Sequence, residues 1–314
     1  MSRVRRLPLL LALFGAPACA TGQAAPSAAA PVSFAHADTT ALHRILDSLA
    51  ARHRGVVGYT VHNLDTGERL ERRSDETFST ASLIKVAVLV TVYDLVDQKT
   101  LSLDDPLTVL KIDKVGGSGS LQFMHDNATV TVHDAAWLMT TISDNTATNL
   151  LLDRIIIRRV WDKMEQLGLM HTKVHSKTFL RSASVAMDSS VKYGLGVTTP
   201  NEMARLFALL ADGKAVSPKA DSSMLDILAH NENFEKLQRF VSGLEVPHKT
   251  GETNQVRTEC GLFPLKSRVA YCVLTKENSD ERYMIDNEAH VMMAHMGEAI
   301  VRAWPRRPVP AAAP

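Results

Sequence analysis

The chain has 314 residues, 45% hydrophobic and 22% charged, enough for one large core or two subdomains sharing an interface. Its 35 Lys and Arg balance 34 Asp and Glu, so no single-sign field points to nucleic acid, and a small molecule is the expected partner. Three cysteines are too few for a disulfide scaffold.

Arg3, Arg5 and Arg6 precede an apolar run from Leu7 to Phe14 and the small residues Gly15 to Ala20. That order predicts a signal peptide over residues 1–20 and an exported protein, periplasmic or secreted. Cleavage after Ala18 or Ala20 and lipid anchoring at Cys19 are alternative ends to it, although Ala16 stands where a lipobox has a bulkier aliphatic residue. No segment is long and uncharged enough to span a membrane. Residues 21–37 are rich in Ala, Pro, Gly and Ser and read as a linker, and residues 305–314 as a disordered tail.

The body opens with Leu42, Ile45, Leu46 and Leu49 at helical spacing behind the capping candidates Asp38 and Thr39. Val57, Tyr59 and Val61 then alternate up to the turn Asp65-Thr66-Gly67, with a second strand through Leu70. Ser79 to Asp97 is apolar on nearly every side, Gly119 to Leu210 is mostly helical in pattern, and strands return near Val246. Thr199-Pro200-Asn201-Glu202 predicts a helix start with Thr as cap and Glu reaching back, a structural role for Glu202. The runs Val256 to Leu265 and Val269 to Thr275 form a hairpin about Lys266 and Ser267. Cys260 and Cys272 then either face each other and bridge, or remain two small buried thiols. Strands at both ends around a helical middle imply an α+β fold: a mixed or antiparallel sheet flanked by helices, with an inserted all-helical subdomain. The catalytic domain is assigned to 38–304, the sheet part to about 38–80 and 200–304, the helical part to about 81–199.

Lys85 lies in the apolar run Leu83 to Val90, where an amine is costly unless something uses or pairs it. Ser82 precedes it by three residues, so on a helix hydroxyl and amine share a face. The β-branched content would suit a strand, but the run's length and Ala81, Leu83 and Ala87 favour a helix. A desolvated amine with a lowered pKa can take a serine proton, which makes Ser-x-x-Lys a chemical device. Ser189 to Lys192 repeats the pattern in a polar setting that gives its lysine no reason to be buried.

Ser143-Asp144-Asn145 and Lys249-Thr250-Gly251 follow in order, and with Ser82-Leu83-Ile84-Lys85 the chain resembles the penicillin-recognising serine enzymes, most closely the class A β-lactamases, from about Asp38 to Trp304. The resemblance implies a β-lactamase-like fold. It makes Ser82 the nucleophile, Lys85 its proton acceptor and Ser143 the proton donor to the leaving nitrogen. Asn145 would hold the substrate amide carbonyl, and Lys249 with Thr250 its carboxylate. Gly251 would let substrate lie close to the strand, and the Glu252 backbone N–H would join that of Ser82 in an oxyanion hole. No cofactor is implied, and His125, His133, His290 and His295 form no metal set. Met292, Met293 and Met296 read as core on a final helix.

The pattern breaks in two places. Class A enzymes hydrolyse the acyl-enzyme with a loop glutamate expected here near Lys177 or Thr178, yet no acidic residue stands between Glu165 and Asp188. Asp188 or His175 is then a relocated base, or Asp188 merely pairs with Arg181 or Lys192. Glu252 replaces a small residue. It either selects a substrate carrying an amine or pairs with Arg257, itself a candidate supplementary contact for a carboxylate. Three functions follow: a β-lactamase-like hydrolase acting on β-lactam amide bonds, a D-alanyl-D-alanine peptidase or other hydrolase of peptidoglycan stem peptides, and a penicillin-binding sensor without turnover.

Overall fold

The computed structural model describes residues 33–306, so the signal-like segment, Cys19 and most of the tail lie outside the described residues. The first helix, α1 (Thr39–Arg52), starts where the carboxylate of Asp38 accepts from the Ala41 amide at 2.9 Å. A hairpin follows, β1 (Val56–Asn63) and β2 (Arg69–Arg72), turned by Gly67 at φ 78°. After the short β3 (Phe78–Ser79) and a 3₁₀ turn over Ala81–Ile84 comes α2 (Lys85–Asp97), buried continuously from Lys85 to Tyr93. A helix apolar all round belongs inside a core, and α2 is the axis on which the helical region packs.

β4 (Pro106–Val109) and β5 (Ala128–Thr131) pair as a small ribbon ahead of α3 (Val132–Thr141). Next come α4 (Asn145–Ile155) and α5 (Ile157–Gln166), then β6 (Lys173–Val174), α6 (Met187–Tyr193) and β7 (Gly196–Thr198). α7 (Pro200–Ala211) and α8 (Pro218–Ala229) complete the helical part. The Thr199 hydroxyl caps α7 through the Glu202 amide at 3.1 Å. Glu202 is structural, but it does not reach back to the cap. Its carboxylate takes the His171 amide at 2.9 Å and the Thr172 hydroxyl at 2.7 Å, tying α7 to the loop after α5.

The chain ends with β8 (His248–Thr253), β9 (Val256–Pro264), β10 (Arg268–Lys276) and α9 (Glu288–Ala303). These strands join the first hairpin in a five-stranded antiparallel sheet of order β2-β1-β10-β9-β8. The period of two decides what each face meets. Val269, Tyr271 and Val273 turn toward α1 and α9 in one cluster, which also takes Met292, Met293 and Met296. Ala270, Cys272 and Leu274 turn the other way, into a cluster shared with α2 and the helical region. β8 is an edge strand, with no strand partner on one side among the described residues. That free edge runs along the turn that carries Ser82.

Cys260 and Cys272 stand directly opposite each other in the β9–β10 ladder and form a disulfide, so the bridged alternative holds. The bridge closes a short loop inside the core and restricts the unfolded chain more than the folded one. Replacing both with alanine is expected to lower unfolding free energy by about 2 kcal/mol, read from urea melts of the double variant against the oxidised parent. Coincident melts would contradict this.

Candidate active site

Ser82 sits half-buried in the 3₁₀ turn that feeds α2, and Lys85 opens α2 one turn later. As the turn's early residue, Ser82 has a backbone N–H without an intrahelical acceptor. Ala81, just before it, has φ 47°, and Ser143 has φ 60°. For residues with a Cβ that region costs on the order of 1–2 kcal/mol, and such strain collects at functional sites.

The Lys85 side chain is 1% exposed and its amine has three neighbours. Nζ lies 2.8 Å from the Ser143 carbonyl oxygen, 2.9 Å from Asn145 Oδ1 and 3.2 Å from Ser143 Oγ. The carbonyl and the amide oxygen can only accept. Asn145 is oriented by its own Nδ2, which donates to the Gly116 carbonyl at 3.0 Å and so turns Oδ1 toward the amine. A neutral amine has two N–H groups for these two acceptors and a lone pair left for a hydroxyl proton. Burial, then the neighbouring charge of Lys249, pulls the Lys85 pKa well below the ordinary lysine value, against a smaller opposing effect of Asp144.

Lys249 is fully buried on β8 and approaches the same hydroxyl from the other side, 3.2 Å from Ser143 Oγ and 2.9 Å from the Thr250 carbonyl. Burial, followed by the charge of Lys236, lowers its pKa to about 7, with Glu252 and Glu259 resisting. The Ser143 hydroxyl thus stands between two buried amines. Asp144, beside it, works structurally: its carboxylate caps α4 at the Ala147 amide (2.9 Å) and holds the amides of Ser120 (2.6 Å) and Leu121 (2.9 Å). That clamp fixes the loop against which Asn145 is oriented.

Gly251 has a clear steric reason. A Cβ there would lie 2.4 Å from the Thr80 carbonyl, 2.7 Å from the Leu83 amide and 2.7 Å from Thr258 Oγ1. The missing side chain therefore admits the Ser82 turn itself against β8, in addition to any room it leaves for substrate. Thr258 Oγ1 fastens the approach, donating within reach of both the Thr80 carbonyl (3.0 Å) and the Gly251 carbonyl (3.1 Å).

Glu252 is engaged by two basic side chains and a histidine. Its Oε2 lies 3.2 Å from Lys236 Nζ, 3.3 Å from His290 Nε2 and 3.7 Å from Arg257 Nε. Burial by itself would raise the carboxyl, but the His290 hydrogen bond and the Lys236 charge outweigh it and hold the pKa at about 2. Arg257 cannot serve as the supplementary carboxylate contact. It is fully buried, and its guanidinium donates to the carbonyls of Thr253, Asn254, Val256 and Arg282. Lys236, also fully buried and coupled to Lys249, is the cation that sequence reasoning missed. It sits in an irregular stretch between α8 and β8 where no periodicity marks it.

The loop expected to carry the glutamate is held by Asn149, whose Oδ1 accepts from the Thr178 amide at 2.7 Å and whose Nδ2 donates to its carbonyl at 3.2 Å. The Thr178 hydroxyl is buried without a hydrogen-bond partner among the described residues. His175 is buried elsewhere, bonded to the Gly194 carbonyl at 3.2 Å. Asp188 is exposed at the start of α6 and pairs with neither Arg181 nor Lys192. Neither forms a hydrogen bond or ion pair with Ser82, Lys85 or Ser143. The second Ser-x-x-Lys places Lys192 on the exposed face of α6. Among the described residues no cluster of His, Cys, Asp and Glu could hold a metal ion, and no helix is long and apolar enough to cross a membrane.

Residues 41–304 match the beta-lactamase enzyme family. Over 224 residues, 68% of this chain and 70% of the relative, the sequence is 26% identical to beta-lactamase AER-1 of Aeromonas hydrophila. A beta-lactamase of Sphaerobacter thermophilus superposes with a TM-score of 0.75 at 27% identity, covering 85% of this chain and 97% of that one. PBP-A, 24% identical, shares the fold with a TM-score of 0.74 over 86% of this chain and 98% of its own. With a buried amine pair facing one serine hydroxyl on this fold, the chain belongs to the β-lactamase enzyme family, as a serine β-lactamase-like hydrolase.

Proposed function

We propose that Ser82 attacks the lactam carbonyl of a β-lactam and forms an acyl-enzyme that is released slowly. The observation that carries this reading is the Ser143 hydroxyl placed 3.2 Å from both Lys85 and Lys249, with the Lys85 amine otherwise occupied by two obligatory acceptors. Lys85 takes the Ser82 proton as the Oγ–C bond forms. The backbone N–H groups of Ser82 and Glu252 stabilise the oxyanion. As the lactam C–N bond breaks, the nitrogen receives a proton from the Ser143 hydroxyl, which is resupplied by Lys85. Asn145 keeps a second Nδ2 hydrogen for the substrate's side-chain amide carbonyl. Lys249, with Thr250 beside it and Lys236 behind, supplies positive charge for the substrate carboxylate.

Release requires an activated water, and the loop between Glu165 and Asp188 offers no carboxylate to act as its base. Thr178 stands where the loop glutamate is expected and is no base at neutral pH. Glu252 is a poor base with its pKa near 2 and Lys236, Arg257 and His290 around it. A PBP-A variant of the same fold forms an acyl-enzyme complex with penicillin G. The same deficit favours a second reading, a D-alanyl-D-alanine peptidase acting on stem peptides, whose assay is release of terminal D-alanine from a peptide mimic. A sensor would give one stoichiometric burst and nothing further. The signal-like residues 1–20 support an exported protein, with Cys19 as an alternative lipid anchor.

Benzylpenicillin is expected to add one acyl group to the parent and none to Ser82→Ala, read by intact mass. An unlabelled parent would defeat the proposal. Thr178→Glu places a carboxylate on the Asn149-clamped turn and is expected to speed loss of the adduct about 100-fold; an unchanged adduct lifetime would show that the turn does not face the ester. Lys249 is protonated below about pH 7 and neutral above it. The acylation constant for an anionic β-lactam should therefore fall as pH rises through about 7, and Lys249→Arg should move that limb to higher pH. A flat profile from pH 6 to 9 would remove Lys249 from carboxylate binding.

A further inference from the structure

The turn that lacks the glutamate carries another residue at odds with its surroundings. Phe179 has φ 56°, in the left-handed region that an aromatic residue adopts only under constraint, and its side chain is 74% exposed. Neither feature returns packing energy to the fold, yet the turn is firmly held. Asn149 grips both backbone groups of Thr178, Lys177 and Leu180 pair across the turn, and Lys177 is ion-paired with Asp153. The backbone that carries the ring is therefore held in place.

That place borders the amide-binding group. A Cβ on Gly117 would lie 2.8 Å from Asn145 Nδ2 and 3.2 Å from Phe179 Cε2, so the glycine lets the Asn145 amide and the aromatic ring come together. Gly117 has φ 83°, which glycine alone takes without strain. A substrate whose amide carbonyl is held by Asn145 continues, beyond that amide, into its acyl substituent. An exposed aromatic face next to Asn145 offers that substituent a broad apolar surface and no charge.

We infer that Phe179 is a specificity-determining residue that selects acyl donors carrying an aromatic substituent on the side-chain amide. The inference rests on the Ser82 acyl-enzyme reading and deepens it. The test compares acylation of Ser82 in the full chain by benzylpenicillin and by the penicillin with a methyl group in place of benzyl on the same amide. Phe179→Ala is expected to lower the second-order acylation constant for the benzyl compound about tenfold while changing that for the methyl compound less than about twofold. Phe179→Gly, which relieves the backbone, should give the same selective loss, and Phe179→Tyr should retain the parent's preference. Equal losses for both penicillins in the Ala and Gly variants, or no loss for either, would overturn the inference. A parent that neither penicillin labels would instead sink the Ser82 reading, and this inference with it.

Discussion

A primary amine taken out of water must either be paired with a carboxylate or give up its charge, and among the described residues Lys85 has no carboxylate against it. Its neighbours are a carbonyl, an amide oxygen and a hydroxyl, all contributed by Ser143 and Asn145. The second buried lysine, Lys249, approaches the same hydroxyl and makes a charged Lys85 costlier still. The rest of the site follows from keeping this desolvated, hydrogen-bonded amine beside a serine: α2 buried all round, the left-handed backbone at Ser143, and the Asp144 clamp that fixes the loop orienting Asn145.

The sheet contributes through its edge. β8 has one free side, and Gly251 lets that side touch the backbone of the Ser82 turn. Ser82, the Ser143–Asn145 segment and Lys249 thus come from three separate stretches of chain, meeting where the sheet and the helical region share a core. The charge on β8 is tuned from behind. Lys236 and Glu252 pair within 3.2 Å, and Glu259, fully buried in β9, accepts from the Leu237 amide, Gln238 and Tyr271. Against the burial that lowers the Lys249 pKa to about 7, Glu252 and Glu259 favour its charged form and Lys236 opposes it.

Much of this was legible in the sequence because the signals were local. A lysine in an apolar run announces a use for its amine, and the hairpin about Lys266 and Ser267 puts Cys260 opposite Cys272 once its centre is known. What was not legible depended on direction and long-range placement. Arg257 follows the motif strand closely, but strand register turns it into a cage of carbonyls. The Thr199 to Glu202 box does start a helix, while tertiary contact with His171 and Thr172 takes the Glu202 carboxylate from the cap. Lys236 lies in irregular chain with no period to mark it. Phe179 appears in sequence as an ordinary loop aromatic, and only the backbone shows it held at a positive φ.

The central claim is that Lys85 is poised as a neutral base, and the most direct test is the titration of its own nitrogen. With ¹⁵N-labelled lysine and the Lys85→Arg variant for assignment, the Lys85 Nζ resonance is followed by NMR from pH 5 to 11 in the unacylated protein. Deprotonation well below the ordinary lysine value of about 10.5 is the predicted result. A Lys85 nitrogen that titrates with the surface lysines would contradict the account, because the amine would then be charged at neutral pH and unable to accept the Ser82 proton.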